Sequence, residues 1–310
     1  MIKRLFVALV ALAVAGAGVF WWLTTPVRAV PVEPGAALET SGDAGRGALV
    51  FNAGGCASCH ATPKQEDRLR LGGGLELTSP FGAFVAPNIS PHPRDGIGSW
   101  KVADLVNAML RGVSPEGAHY YPSFPYTTYA HAKVEDVADL MAYLRTLPQV
   151  EGKAPAHRIG FPFNIRRGRG LCTLMFRDTQ ALLDDPARSP EWNRGRYLVE
   201  ALGHCAECHS PRNPIGGIKA SERFAGGPDL EGRGWVPNIT PSPKGLASWS
   251  KADISELLST GFTPEYDSVG SSMADVVKNT AALPKADRDA MAEYLKSLPP
   301  RDGPARPAKK

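Results

Sequence analysis

The chain opens on one long apolar run. After it, short apolar stripes at helical spacing alternate with polar turns marked by proline and glycine. Lys3 and Arg4 precede an uncharged stretch from Leu5 to Leu23, whose nineteen residues at 1.5 Å rise make about 28 Å, close to the thickness of a bilayer core. Trp21 and Trp22 stand at its far end, where aromatic rings favour the membrane interface. Residues 1–24 are therefore expected to be a membrane anchor or a signal segment. The length favours an uncleaved transmembrane helix, and Val27-Arg28-Ala29 is the cleavage sequence that the alternative would use. Both readings leave the basic end in the cytoplasm and export the rest of the chain.

Beyond this segment the pattern occurs twice. Cys56 recurs as Cys205, Pro87-Asn88-Ile89 as Pro237-Asn238-Ile239, Ser99-Trp100 as Ser248-Trp249, Gly112 as Gly261, and Leu147-Pro148 as Leu298-Pro299. The offset stays between 149 and 151 residues. A constant register of this kind implies duplication of one unit of roughly a hundred residues. The expected units are residues 42–148 and 191–300, with a linker at 149–190 and a disordered Pro- and Lys-rich tail at 301–310. Each copy predicts three helices. The first runs into the cysteine pair, near Asp43–Ala53 and Trp192–Leu202. The second follows Ser99 and Ser248 as N-caps and ends at Gly112 and Gly261. In it Val102, Leu105, Val106, Met109 and Leu110 form one apolar stripe. The third is closed by Leu147-Pro148 and Leu298-Pro299. No segment shows clear strand alternation, so the expected fold class is all-α. Within the linker, Leu171, Leu174, Met175 and Phe176 are too apolar for a solvated tether and are expected to dock on the neighbouring units.

Composition narrows the chemistry. The chain has 310 residues, with 32 Gly and 28 Pro, which suits about two domains of short helices joined by ordered loops. The formal charge of +4 is spread along the chain, with Arg166, Arg167 and Arg169 as the local exception, so no nucleic-acid partner is expected. Five cysteines in an exported chain would ordinarily suggest disulfides. Four of them, however, lie in Cys56-Ala-Ser-Cys59-His60 and Cys205-Ala-Glu-Cys208-His209, which leaves Cys172 as a packed free thiol.

A Cys-x-x-Cys-His run presents two thiols from one helical turn to the two vinyl groups of a porphyrin, and its histidine to the iron from the same side. A zinc site would need further ligands in each unit, and a redox dithiol would need a βαβ setting. The expected cofactors are two covalent haem c groups, with His60 and His209 as proximal ligands. A proximal histidine usually donates its other ring N–H to a carbonyl. The Pro87-Asn88 and Pro237-Asn238 turns stand at a suitable distance for that, with a plain turn as the alternative role of the asparagines. Trp100 and Trp249 are large enough to wall the haem or reach a propionate through the indole N–H, with packing alone as the alternative. A thioether in the sixth position would favour electron transfer. Met273, in the loop between the middle and last helices, is expected to supply it, whereas Met109, Met141 and Met291 lie on core-facing stripes.

These motifs, with Ile97-Gly98-Ser99-Trp100, Tyr121-Pro-Ser-Phe-Pro-Tyr126, Trp192-Asn-Arg-Gly195 and Gly270–Met273, resemble the multihaem cytochrome c subunits of bacterial membrane-bound periplasmic dehydrogenases. The likeness covers about 42–300. It implies two tandem cytochrome c domains behind an N-terminal transmembrane helix, at the inner membrane and facing the periplasm. It also implies electron transfer from a dehydrogenase catalytic subunit to quinone, a small cytochrome c or an oxidase. Two departures matter. The family subunits often carry three haem domains, and Phe124 stands where the first domain's loop commonly has an axial methionine. His131 is then the expected sixth ligand of the first unit, with His119 as second candidate; related cytochromes often carry Lys-Met at positions 131 and 132. An open iron in that unit would instead suit a di-haem enzyme of the peroxidase or thiosulfate-oxidising type.

Overall fold

The computed structural model describes residues 1–32, 37–176, 180–232 and 234–306. Helix α1 (Ile2–Leu23) has none of its residues buried, and its length and mean hydropathy of 2.2 are enough for it to cross a membrane. The remainder is mainly helical. In the N-terminal half α2 (Ala44–Ala53), α3 (Cys56–His60), α4 (Val102–Arg111), α5 (Tyr126–Tyr129) and α6 (Val134–Leu144) follow one another. After α7 (Arg169–Phe176), the C-terminal half runs α8 (Pro190–Tyr197), α9 (Cys205–Cys208), α10 (Lys251–Thr260), α11 (Ser272–Thr280) and α12 (Lys285–Ser297).

The first and last helices of each half cross at a glycine. A Cβ on Gly47 of α2 would collide with the Asp139 carbonyl of α6, and one on Gly195 of α8 with the Ala290 carbonyl of α12. Only a residue without a side chain lets the helices approach so closely. Each crossing is framed in the same way. Phe51 meets Tyr143 edge-on at 5.2 Å and Trp192 meets Tyr294 at 5.3 Å. Arg46 pairs with Asp139 and Arg194 with Asp287, both at 2.7 Å. Phe51, Val106, Val137, Leu140 and Met141 from the N-terminal half and Leu198, Val199, Leu202, Met291 and Leu295 from the C-terminal half are buried in one continuous core. Each such side chain contributes about 2 kcal/mol of hydrophobic stabilisation.

Four expectations are corrected. Strands are present: β1 (Glu76–Ser79), β2 (Gly82–Val85) and β3 (Arg158–Ile159) form an antiparallel sheet, and β4 (Gly227–Pro228) pairs with β5 (Trp235–Val236). At two to four residues they are too short to print a period-two signal. The middle helices are capped two residues later than expected. The Asp104 carboxylate accepts the Lys101 N–H at 3.0 Å, and Ser250 forms a reciprocal capping box with Asp253. Leu171, Leu174 and Met175 are exposed rather than docked, while the Phe176 side chain lies outside the described residues. The tail is anchored at its start, since the Arg301 carbonyl accepts the Asn238 amide at 2.6 Å; residues 307–310 lie outside the described part.

Residues 150–159 are built onto the N-terminal half, whereas Leu183 and Asp185 bond to Arg196 and Asn193 of α8. Val150 is buried, β3 extends the β1–β2 hairpin, and His157 Nδ1 accepts the Val85 N–H at 3.0 Å.

Candidate functional site

Each Cys-x-x-Cys-His run forms one short helix, entered through a left-handed residue: Gly55 (φ 62°) before Cys56 and His204 (φ 41°) before Cys205. A single turn then carries both sulfurs and the imidazole. None of the four cysteines is paired in a disulfide. The hairpin after each motif returns the chain so that a Pro-Asn turn faces the histidine. His60 Nδ1 lies 2.8 Å from the Pro87 carbonyl, and His209 Nδ1 lies 2.8 Å from the Pro237 carbonyl. Each imidazole thus donates through Nδ1 and keeps Nε2 as a metal donor.

The asparagines hold these turns. Asn88 donates to the Val150 and Gly152 carbonyls (2.7 and 2.9 Å) and accepts the Ser90 N–H (2.9 Å). Asn238 does the same with Arg301 and Thr240 (2.6 and 2.8 Å). Trp100 and Trp249 are half-buried against the core.

Burial pushes the Cys56 and Cys205 thiols up to about 12, and burial with the neighbouring Cys208 sulfur pushes Cys59 up to about 11. Such thiols stay neutral at ordinary pH. Burial also lowers both histidines, against the pull of the proline carbonyls, so the rings are neutral. Among the described residues no three His, Cys, Asp or Glu side chains gather into a metal-ion site of their own. The donor set therefore fits an iron porphyrin carried by thioether bonds.

The two motifs meet across the contact between the halves. Asn279 of α11 donates its amide to the Ser58 hydroxyl at 2.7 Å, and Thr127 and Thr128 of α5 donate to Glu207 Oε1 at 3.0 and 2.7 Å. Ser58 and Glu207 occupy the same place in their motifs. The Gly54 carbonyl accepts the Tyr129 hydroxyl at 2.8 Å and lies 3.3 Å from His204 Nε2, and the Tyr129 and His204 rings meet edge-on at 5.8 Å. Burial works to raise the Glu207 carboxyl, but Arg212 at 2.5 Å and the threonine hydroxyls outweigh it and hold it below the ordinary carboxylate range.

The sequence did not single out Glu207, Tyr129 or His204. His204 had a readable signal, since it replaces the glycine that the first copy uses at a left-handed position.

The distal candidates are spread more widely. Met273 is half-buried in the first turn of α11, on a helix rather than in the expected loop. Phe124 packs between Tyr120 and Tyr129, each at 5.7 Å. His131 Nδ1 lies 2.8 Å from the Gln180 carbonyl, which leaves its Nε2 as a donor. His119 is buried, with Nε2 2.8 Å from the Thr24 carbonyl at the end of α1. Met109, Met141 and Met291 are core residues, and Cys172 is a half-buried free thiol.

The cytochrome c family model matches residues 44–148. The chain is 52% identical over 301 residues to a diheme cytochrome c-type protein of Cereibacter sphaeroides, covering 96% of this chain and 99% of that one. It is 37% identical over 279 residues to the fructose dehydrogenase cytochrome subunit of Gluconobacter japonicus, covering 89% of this chain and 56% of the relative. It is 34% identical over 293 residues to the alcohol dehydrogenase (quinone) cytochrome c subunit of Gluconacetobacter polyoxogenes, covering 90% and 62%. The chain thus spans about three-fifths of the length of these two longer relatives. With two covalently bound haem c groups as its electron carriers, the chain belongs to the diheme c-type cytochromes.

Proposed function

We propose that this chain passes electrons from the catalytic subunit of a membrane-bound periplasmic dehydrogenase to a downstream acceptor, through two tandem cytochrome c units of about 42–148 and 191–300. The haem groups supply the one-electron chemistry, and the protein sets their attachment, ligation and contact. Cys56 and Cys59 would attach the first haem and Cys205 and Cys208 the second. His60 and His209 would bind iron through Nε2, oriented by the Pro87 and Pro237 carbonyls. Met273 would complete the second site with its thioether. His131 would complete the first through Nε2, since His119 faces the end of α1. In this reading α1 holds the chain at the inner membrane with both units in the periplasm.

The observation that carries the reading is the face-to-face placement of the two motifs through Ser58–Asn279 and Glu207–Thr128. Two carriers attached there would exchange electrons across one packed contact without a mobile shuttle. The dehydrogenase partner is supported by the names of the relatives, which also favour transfer over a di-haem enzyme.

The test is to give membranes containing the chain alcohol, sugar and sugar-acid substrates in turn and to follow the haem absorbance. One substrate is expected to reduce both haems during turnover. If chemical reductant reduces them and no dehydrogenase substrate does, the dehydrogenase assignment falls.

A further inference from the structure

The segment 160–176 combines the local arginine cluster with apolar residues that the fold leaves uncovered. Phe161 is 81% exposed, Leu174 and Met175 are each 58% exposed, and Ile165 and Leu171 are also exposed. Leu171, Leu174 and Met175 recur at helical spacing and so share one side of α7. In a soluble protein such a stripe would be folded inward, and a contiguous exposed apolar surface marks a contact.

The fold shows what this surface lies beside. The Arg167 guanidinium stacks on the Trp21 ring at 4.0 Å and donates to the Trp21 carbonyl (2.5 Å), to Thr24 Oγ1 (3.0 Å) and to Thr25 Oγ1 (2.9 Å). Gly170 packs on the Thr24 backbone so closely that an added Cβ would lie 2.6 Å from the Thr24 Cα. The start of α7 is therefore locked to the last turn of α1, at the depth where Trp21 and Trp22 mark the membrane interface. Phe163 meets Phe81 of the β1–β2 turn at 4.8 Å and β3 pairs with β2, so the same segment is also tied to the N-terminal half.

We propose that residues 161–175 form a second membrane contact, an interfacial element that seats its apolar residues among the headgroups of an anionic phospholipid leaflet where α1 emerges. The proposal rests on the reading of α1 as a membrane span. Continuity with the end of that helix selects lipid as the occupant, and the exposed Arg166 beside the apolar residues matches an anionic surface. The element would fix the tilt of the first haem unit against the membrane instead of leaving it on a free tether. The Thr24–Val30 stretch strengthens that fixing: Asn107 accepts the Ala29 and Val30 N–H groups (2.7 and 3.1 Å) and donates to the Val30 carbonyl (2.9 Å).

The test uses the full haem-loaded chain in vesicles of phosphatidylethanolamine and phosphatidylglycerol. A photoreactive amino acid is placed singly at Phe161, Leu174, Trp22 or Tyr266, the last being 90% exposed in the C-terminal half. Lipid adducts are read by mass spectrometry. The expected result is adduct at Phe161 and Leu174 comparable with that at Trp22, and none above background at Tyr266. Adduct at Trp22 without adduct at Phe161 and Leu174 overturns the interfacial element and leaves the span intact. Cross-linking of Phe161 and Leu174 to a polypeptide in native membranes overturns it in favour of a subunit interface. No adduct at Trp22 overturns the span, and the interfacial element with it.

Discussion

Asn279 and Ser58 are joined by a 2.7 Å hydrogen bond that links the C-terminal half to the interior of the first Cys-x-x-Cys-His helix, and Thr128 and Glu207 repeat the bond in the opposite sense, also at 2.7 Å. The contact is thus self-complementary in the way of a two-fold interface, although both sides belong to one chain. Each bond closes the inner face of one motif with a side chain from the other half.

Removing the pair should loosen the joint without removing the haems. Thr128→Val with Asn279→Ala should cost about 1 kcal/mol per bond. Denaturant unfolding reads that loss, and the rate at which the two haems equilibrate after partial photoreduction should fall. Unchanged equilibration in a destabilised variant would separate the clasp from electron exchange.

The helix crossings should tolerate no side chain. Gly47→Ala and Gly195→Ala each drive a methyl into a carbonyl of the partner helix. Overpacking of this kind costs about 3 kcal/mol where the backbone cannot yield. The haem count of the purified variants checks it: each should lose haem from its own half. Full loading and wild-type melting in Gly47→Ala would show that the helices can separate.

Acid should weaken the first half through Asp139. Burial works to raise this carboxyl, but the Arg46 guanidinium and the Asp43 N–H outweigh it and hold it below the ordinary carboxylate range. With the folded value depressed, the stabilisation is complete above the unfolded pKa of about 3.9 and is lost as pH falls through the folded value. Thermal melts of the wild type should therefore fall below about pH 4. Asp139→Asn should be less stable at neutral pH by about 2 kcal/mol, and that part of the acid loss should disappear.

Much of this was legible in the chain, for identifiable reasons. Cys56–His60 and Cys205–His209 announce themselves because covalent attachment fixes spacing within one helical turn. The helices around them were readable from apolar stripes and from Gly112 and Gly261, both of which adopt left-handed C-caps. What could not be read depends on distant partners. Ser58 and Glu207 look like arbitrary fillers until Asn279 and Thr128 face them. The strands are too short to show alternation. The exposure of Leu171, Leu174 and Met175 runs against a rule that presumes water on every side, and the lipid contact proposed beside α1 would account for it.

The first unit's sixth ligand separates transfer from catalysis. With Nδ1 of His131 held by the Gln180 carbonyl, Nε2 would be the atom to ligate iron if His131 is the sixth ligand. Bis-histidine ligation would set that haem's potential well below that of a haem with Met273. Low-temperature electron paramagnetic resonance should show two low-spin signals, and His131→Ala should convert one to high spin. An unchanged pair of low-spin signals in that variant excludes His131, and a high-spin signal in the wild type would favour an open, enzyme-like iron.

The most direct measurement of the central claim is the intact mass of the denatured full-length chain and of two variants. Wild type should carry two haems through denaturation. Cys56→Ala with Cys59→Ala should carry one, as should Cys205→Ala with Cys208→Ala, and the remaining haem should map by proteolysis to the untouched motif. A wild-type polypeptide that sheds its haem on denaturation, or a variant that still carries two, would contradict the account.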